Sequence, residues 1–412
     1  LNDEKVDINQ VLNLGKTPFY IACENGLIEI VKLLLNNEKV DINKPNKNDQ
    51  TPFYIACNKG HIDIVKLLLN DQRVDINKAL RTGQTPFFMA CYWGQIEIVK
   101  LLLSDKRIDV NKGNKIDQTP FFISCENGHI DIVKLLLSNE RIEINKEKIQ
   151  GVTPFHIAII KGHIEIVKLL LSDDGVDVNK GDNNGWTPFS VAYSCGRIEI
   201  VKLLLNDQRI DINKKANNDG DTPLHIACAN SHIEIVKLLL NDTRVDINKA
   251  NNRDWTPTYI ACDYGYIEVV KLLLSDERID INKPNRVGQT PFYIACHYGH
   301  IKIVKLLLND HRIEINKADN EGTTPLYIAC QKGNIEIVKL LLNDKRIDIN
   351  KADSKGRTPF FIACKNGQIE IVKLLLNDNR VDINQVNNNG ATPFYSACFF
   401  GKIETIIEWS KN

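Results

Sequence analysis

Eleven cysteines and nine histidines are the residues of this chain best suited to chemistry. Thiolates and imidazoles bind metal, or act as nucleophile and base, when spacing gathers them. Ten cysteines instead recur at one regular interval: Cys23, Cys57, Cys91, Cys125, Cys228, Cys262, Cys296, Cys330, Cys364 and Cys398. No Cys-x-x-Cys pair begins a zinc site. If equivalent cysteines sit on packed helices they stand ~8–10 Å apart, beyond the ~7 Å Cα separation that a disulfide tolerates. They read as small core residues, and as free thiols they point to a reducing, cytoplasmic setting. Cys195, in the turn "YSCG", is out of register and is the thiol expected to be reactive. The histidines are also periodic. His156 and His225 follow a Thr-Pro pair, and His61, His129, His163, His232 and His300 open a second motif. Only His297 and His311 are off pattern, and no serine or cysteine nucleophile is set beside them at motif spacing, so no catalysis is expected. "GKT" at Gly15–Thr17 lacks the earlier glycine of a phosphate loop, since Gln10 stands there.

What positions these residues is a repeat. Thr-Pro begins at Thr17, Thr51, Thr85, Thr119, Thr153, Thr187, Thr222, Thr256, Thr290, Thr324, Thr358 and Thr392. We number the repeats 1 to 12 from these threonines. The step is 34 residues, with one step of 35 before Thr222, in "NKKANNDGDTP". Such a period marks a solenoid or a related array. The threonine hydroxyl caps a first helix and proline suits its first position. "PFYIACEN" then makes about two turns, and glycines such as Gly26 and Gly60 end it with a left-handed cap. "IEIVKLLLN" is a second helix, apolar over more than one stripe and so buried on several sides. Its acid and lysine, as in Glu97 and Lys100, form a same-face pair. "RIDINKANNxGx" follows as a short extended arm with a polar turn at its tip.

At this point the chain resembles the ankyrin repeat proteins. "GDTPLHIACANSHIEIVKLLLNDTRVDIN", Gly220–Asn248, follows their G-x-T-P-L-H-x-A, G-H, V-x-x-L-L and D-V-N pattern closely, and the likeness covers nearly the whole chain. Two departures stand out. The family period is usually 33, and the extra residue here falls in "NDxR" after the second helix. Phe-Tyr also commonly replaces Leu-His after Thr-Pro. The resemblance implies an all-α repeat solenoid of helix–turn–helix units with β-hairpin-like loops, stacked in one curved array. It implies structural roles for the periodic histidines and a non-catalytic scaffold without cofactors. It further implies that a partner protein or extended peptide binds a concave face made of loop tips and first helices. In some members the hairpin asparagine is hydroxylated; Asn77, Asn179 and Asn248 match that position.

If the repeated residues build the scaffold, specificity falls to the variable ones. Two places matter: the residue before Thr-Pro, and the pair between the cysteine and the glycine. Most repeats are polar there, as in Glu24-Asn25. The exceptions are aromatic: Tyr92-Trp93 in repeat 3, Trp186 before repeat 6, Trp255 and Tyr264 in repeat 8, His297-Tyr298 in repeat 9, and Phe399-Phe400 in repeat 12. Aromatic side chains are favoured interface anchors, so Tyr92, Trp93, Trp186, Trp255, Tyr264, His297 and Tyr298 are the expected partner-binding residues. At ~10 Å per repeat, repeats 3 and 8 stand ~50 Å apart, a span for a protein or extended peptide. In repeat 9, Lys302 replaces the acid present in every other repeat.

Lys plus Arg equals Asp plus Glu, at 52 each, leaving no overall field for nucleic acid. No apolar run approaches the ~20 residues of a membrane helix. "LNDEKVDIN" reads as the tail of a preceding repeat, so residues 1–11 are taken as that tail, 12–386 as eleven repeats, and 387–412 as a cap-like last repeat. The sequence then reads as a piece of a longer protein. The standard second helix of repeat 1 leaves the N-terminal end uncapped, which makes self-association, end to end or side by side, an alternative. Another is a recognition arm for an effector domain upstream.

Overall fold

The structure is a computed structural model that describes residues 7–409; of Asn13, Glu408 and Trp409 only the backbone is described. The start of the expected preceding tail and Ser410 of the expected cap lie outside the described residues. The chain forms two compact units, Leu1–Asp211 and Ile212–Asn412. Unit one carries the helix pairs of repeats 1 to 6, from Pro18–Glu24 to Ile198–Asn206, after a short 3-10 turn at Asn13–Gly15. Unit two carries those of repeats 7 to 12, from Pro223–Ala229 to Ile403–Trp409. Within each unit first helices pack on first helices and second helices on second helices. No strand occurs among the described residues. No helix among them is long and apolar enough to cross a membrane.

Each repeat folds for the same local reasons. In repeat 2 the Thr51 hydroxyl accepts from the Tyr54 N–H at 3.1 Å, and Pro52 takes the first helical position, where no donor is needed. The helix Pro52–Lys59 ends at Gly60, whose φ of +83° suits glycine. A side chain there would also meet Gln95 Oε1 at 2.9 Å. Phe53, Ile55, Ala56 and Cys57 fill the core from the first helix, and Ile64, Val65 and Leu68 from the second, Ile62–Leu69. The expected same-face pair is present in repeat 3, with Lys100 Nζ 2.7 Å from Glu97 Oε1. In repeat 1, Ile30 is 45 % exposed and Leu33 61 %, whereas Ile64, the counterpart of Ile30, is 1 % exposed.

The loops supply the links between repeats. Their tips close like hairpins, as where Asn114 N–H donates to Gln118 O, and adjacent tips join, as where Lys115 N–H donates to Thr82 O at 3.0 Å. The "DIN" arms do not pair as strands; a ladder of asparagine side chains joins them instead. Asn111 Nδ2 donates to Arg141 O at 2.6 Å and its Oδ1 accepts from Glu143 N–H at 2.9 Å. The same pair of bonds recurs at Asn77, Asn179 and Asn248. The arginine of "NDxR", in the stretch that carries the extra residue, adds a further link. In at least eight loops its guanidinium donates to a carbonyl at the end of the preceding repeat's second helix, at its negative pole.

Candidate functional site

The periodic chemistry-bearing residues are structural. His61, His129, His163 and His300 each place Nε2 2.9–3.0 Å from a carbonyl at the end of the preceding first helix. His156 and His225 box the N-terminus of their own helix through Nδ1 and reach the next repeat through Nε2, at Trp186 O and Trp255 O. Burial pushes both imidazoles below the usual histidine range. Nine cysteines are buried, and burial pushes the thiols of Cys23 and Cys91 up to about 12. Cys195 is exposed, as expected. Cys398 is a correction: it is exposed rather than a core residue, because repeat 12 packs only on repeat 11 among the described residues.

The seven expected partner-binding residues separate into four places. In unit one, Tyr92 and Trp93 meet edge to face at 5.0 Å, and Trp93 Nε1 donates to Asn58 Oδ1 at 2.7 Å, which ties the ring to repeat 2. Trp186 is half-buried and its backbone closes the loop tip with Asp182. In unit two, Tyr264 is exposed and stacks on Tyr266 at 5.7 Å. The structure gathers the remaining three, Trp255, His297 and Tyr298, around one cleft of 440 Å³ between repeats 8 and 9.

The cleft is built from first helices and loop tips. Trp255 precedes the first helix of repeat 8, Pro257–Tyr264, and stacks on Tyr259 at 5.3 Å. The Arg253 guanidinium lies 5.2 Å from the Trp255 ring centroid, which makes a cation–π contact. His297 and Tyr298 end the first helix of repeat 9, Pro291–Tyr298, with ring centroids 4.7 Å apart. Tyr298 is 57 % exposed. Beneath them Asn285 Nδ2 donates to the Tyr259 hydroxyl at 3.1 Å. Arg286 stands at the rim, 3.2 Å from Asp254, and is itself largely exposed.

Two groups in this cleft are electrostatically unusual. Burial raises the Asp263 carboxyl above the usual carboxylate range, against the pull of His300. Burial, then Lys332, lowers His297 below the usual imidazole range. His297 Nδ1 is buried and has no hydrogen-bond partner among the described residues. The cleft thus offers aromatic faces, two guanidiniums, a carboxyl and an unpaired ring nitrogen. No nucleophile–base pair lines it. Lys302 does not join the cleft; it is exposed on the second helix of repeat 9, Ile301–Leu308, and His311 is exposed in the following loop.

The sequence reading missed Arg253, Asp263 and Asn285. Arg253 and Asn285 sit in loop tips where most repeats are polar, so residue type gave little contrast. Against this geometry, the family model "Ankyrin repeats (3 copies)" matches residues 1–80, 72–148, 141–216, 211–285, 278–353 and 346–408. The chain belongs to the ankyrin repeat family. No curated protein matches it. Ankyrin repeats are in general protein–protein interaction modules, a non-enzymatic fold.

Proposed function

We propose that this ankyrin repeat chain is a non-catalytic scaffold that binds a segment of a partner protein on the face formed by loop tips and first helices. The repeat 8–9 cleft is its principal contact. The observation that carries this reading is that Trp255, His297 and Tyr298 converge with Arg253 on one concavity although sister repeats fold without them. Exposed aromatic and arginine side chains are the types that dominate binding energy. An extended peptide fits better than a compact ligand, because the cleft is open and the loop-tip residues Arg253, Asn285 and Arg286 line it. The free thiols support a reducing compartment, the cytoplasm.

The test compares capture from cell lysate by the chain and by its Trp255→Ala/Tyr298→Ala variant, with helicity checked by circular dichroism. A protein held by the first and lost by the second supports the reading. Equal retention by two folded baits refutes the placement.

A further inference from the structure

In the "NDxR" loops the arginine has a fixed seat, and one repeat keeps the seat without the arginine. Arg107 shows the pattern. Its Nε lies 3.1 Å from Asp105 Oδ1 and its Nη2 2.6 Å from Asp105 Oδ2, and the same Nη2 donates to Leu69 O at 2.7 Å. Leu69 ends the second helix of repeat 2, so the guanidinium sits on the negative pole of a helix.

In repeat 5 the corresponding residue is Gly175. The turn around it is unchanged. Gly175 N–H donates to Asp173 Oδ1 at 2.8 Å, as Arg107 N–H does to Asp105 Oδ1 at 2.9 Å. Gly175 O accepts from Asn145 Nδ2 at 2.7 Å, as Arg107 O does from Asn77 Nδ2. Asp173 therefore stands where Asp105 stands. The carbonyl of Leu137, at the end of the helix Ile130–Leu137, stands where Leu69 O stands. Among the described residues neither Asp173 Oδ2 nor Leu137 O has a hydrogen-bond partner. A second carboxylate, Asp174, is fully exposed and stands 3.8 Å from Arg209 Nη1. Arg209 of the next loop does not fill the seat: its Nη2 holds Leu171 O, and only its Nη1 reaches Asp173 O, at 3.3 Å.

We propose that this seat in repeat 5 binds a guanidinium supplied from outside the chain, the side chain of an arginine on a partner protein. Seven filled seats show that this arrangement of carboxylate and helix-end carbonyl holds a guanidinium within this same fold, and in the eighth Arg141 keeps the helix-end carbonyl beside Asn139. The seat's geometry selects arginine over lysine. Two N–H groups meet a carboxylate edge while one also meets a carbonyl, which a planar fork does and a point-charge ammonium does not. Gly175 is exposed and has no side chain of its own; a Cβ there would lie 3.0 Å from Ile144 Cδ1, so that methyl borders the path the arginine stem takes elsewhere. The seat lies in unit one and is independent of the repeat 8–9 cleft.

The test is a backbone amide NMR titration of the full chain with acetyl-Gly-Arg-Gly-amide and, separately, acetyl-Gly-Lys-Gly-amide. The arginine peptide is expected to shift amides at Ser138 and at 173–176, half-saturating at a concentration at least about tenfold below the lysine peptide. Gly175→Arg, which supplies the side chain from within, should abolish those shifts and raise the melting temperature. Asp173→Asn should weaken binding at least about fivefold while the turn persists, because Asn139 supports the same turn in the loop of Arg141. No localised shift, equal response to lysine, or an unchanged response in a folded Gly175→Arg chain would overturn the proposal.

Discussion

Truncating one rung of the asparagine ladder gives the most direct measure of what joins the repeats. In Asn111→Ala, Arg141 O loses its donor at 2.6 Å and Glu143 N–H loses its acceptor at 2.9 Å. Each net hydrogen bond is worth roughly 0.5–1.5 kcal/mol. Both orphaned groups lie near the surface and recover part of that from water, so the expected cost is about 1–2 kcal/mol. The structure supplies its own control. Asn384 occupies the same position in the arm after repeat 11, is exposed, and makes no such rung among the described residues. Asn384→Ala should therefore change stability by less than about 0.5 kcal/mol. Stability in a repeat array is a sum of units and nearest-neighbour interfaces. The lost rung should thus appear as faster amide exchange centred on repeats 3 and 4, with a lower urea midpoint for the transition that includes them. Equal costs for the two variants, or a cost under about 0.5 kcal/mol for Asn111→Ala, would refute the view that the ladder is an inter-repeat bond rather than a solvated loop feature.

Three further outcomes are expected. Burial holds His156 and His225 below the ordinary value of about 6.5, so stability is full above that pH. It falls as pH drops below it, because the unfolded chain takes up protons that the folded one refuses. Replacing both with tyrosine, as at Tyr20 and Tyr54, should flatten the melting temperature between pH 6.5 and 5 to about the slope left by His297 and the opposing one of Asp263, and an unchanged slope would count against the assignment. Ser231 holds φ at +55° where most sister repeats have glycine. Ser231→Gly should therefore stabilise by about 0.5 kcal/mol in thermal melts, the left-handed penalty exceeding the entropy that glycine loses. Ellman's reagent should react quickly with two thiols, Cys195 and Cys398, in the native chain and with all eleven in denaturant; rapid reaction of more would contradict the burial of the rest.

Most of the scaffold was legible because it is local. Thr-Pro, the left-handed glycine and the two apolar helices each act within a few residues, and repetition makes the signal hard to misread. The periodic histidines and cysteines were legible as structure for the same reason. What was not legible depends on pairs about one repeat apart. The arginine of "NDxR" looks like a solvated charge until its distance from the preceding helix end is known. The significance of Gly175 is invisible until the filled seats are seen. The candidate site was half legible. Trp255, His297 and Tyr298 stood out by type, but nothing in the sequence separated them from Tyr264, whose ring turns to Tyr266 instead.

The division between scaffold and recognition has a physical basis at the position before Thr-Pro. Trp255 N–H donates to Asn251 Oδ1 at 3.0 Å, and Trp255 O accepts from Asn251 N–H at 2.9 Å and lies 2.8 Å from His225 Nε2. All three contacts use the backbone, so the fold constrains the chain path here and leaves the side chain unspecified. That is why glutamine, valine, arginine and alanine serve at Gln118, Val152, Arg357 and Ala391. Trp255→Ala should forfeit its stacking on Tyr259 and its contact with Arg253, about 1–2 kcal/mol together. It should keep every inter-repeat hydrogen bond. A partner that packs on this ring should lose more than that, because binding desolvates the face the free chain leaves wet. Comparing the variant's melting temperature with its partner affinity separates the two quantities: a stability loss beyond about 3 kcal/mol would mean that the side chain belongs to the scaffold after all.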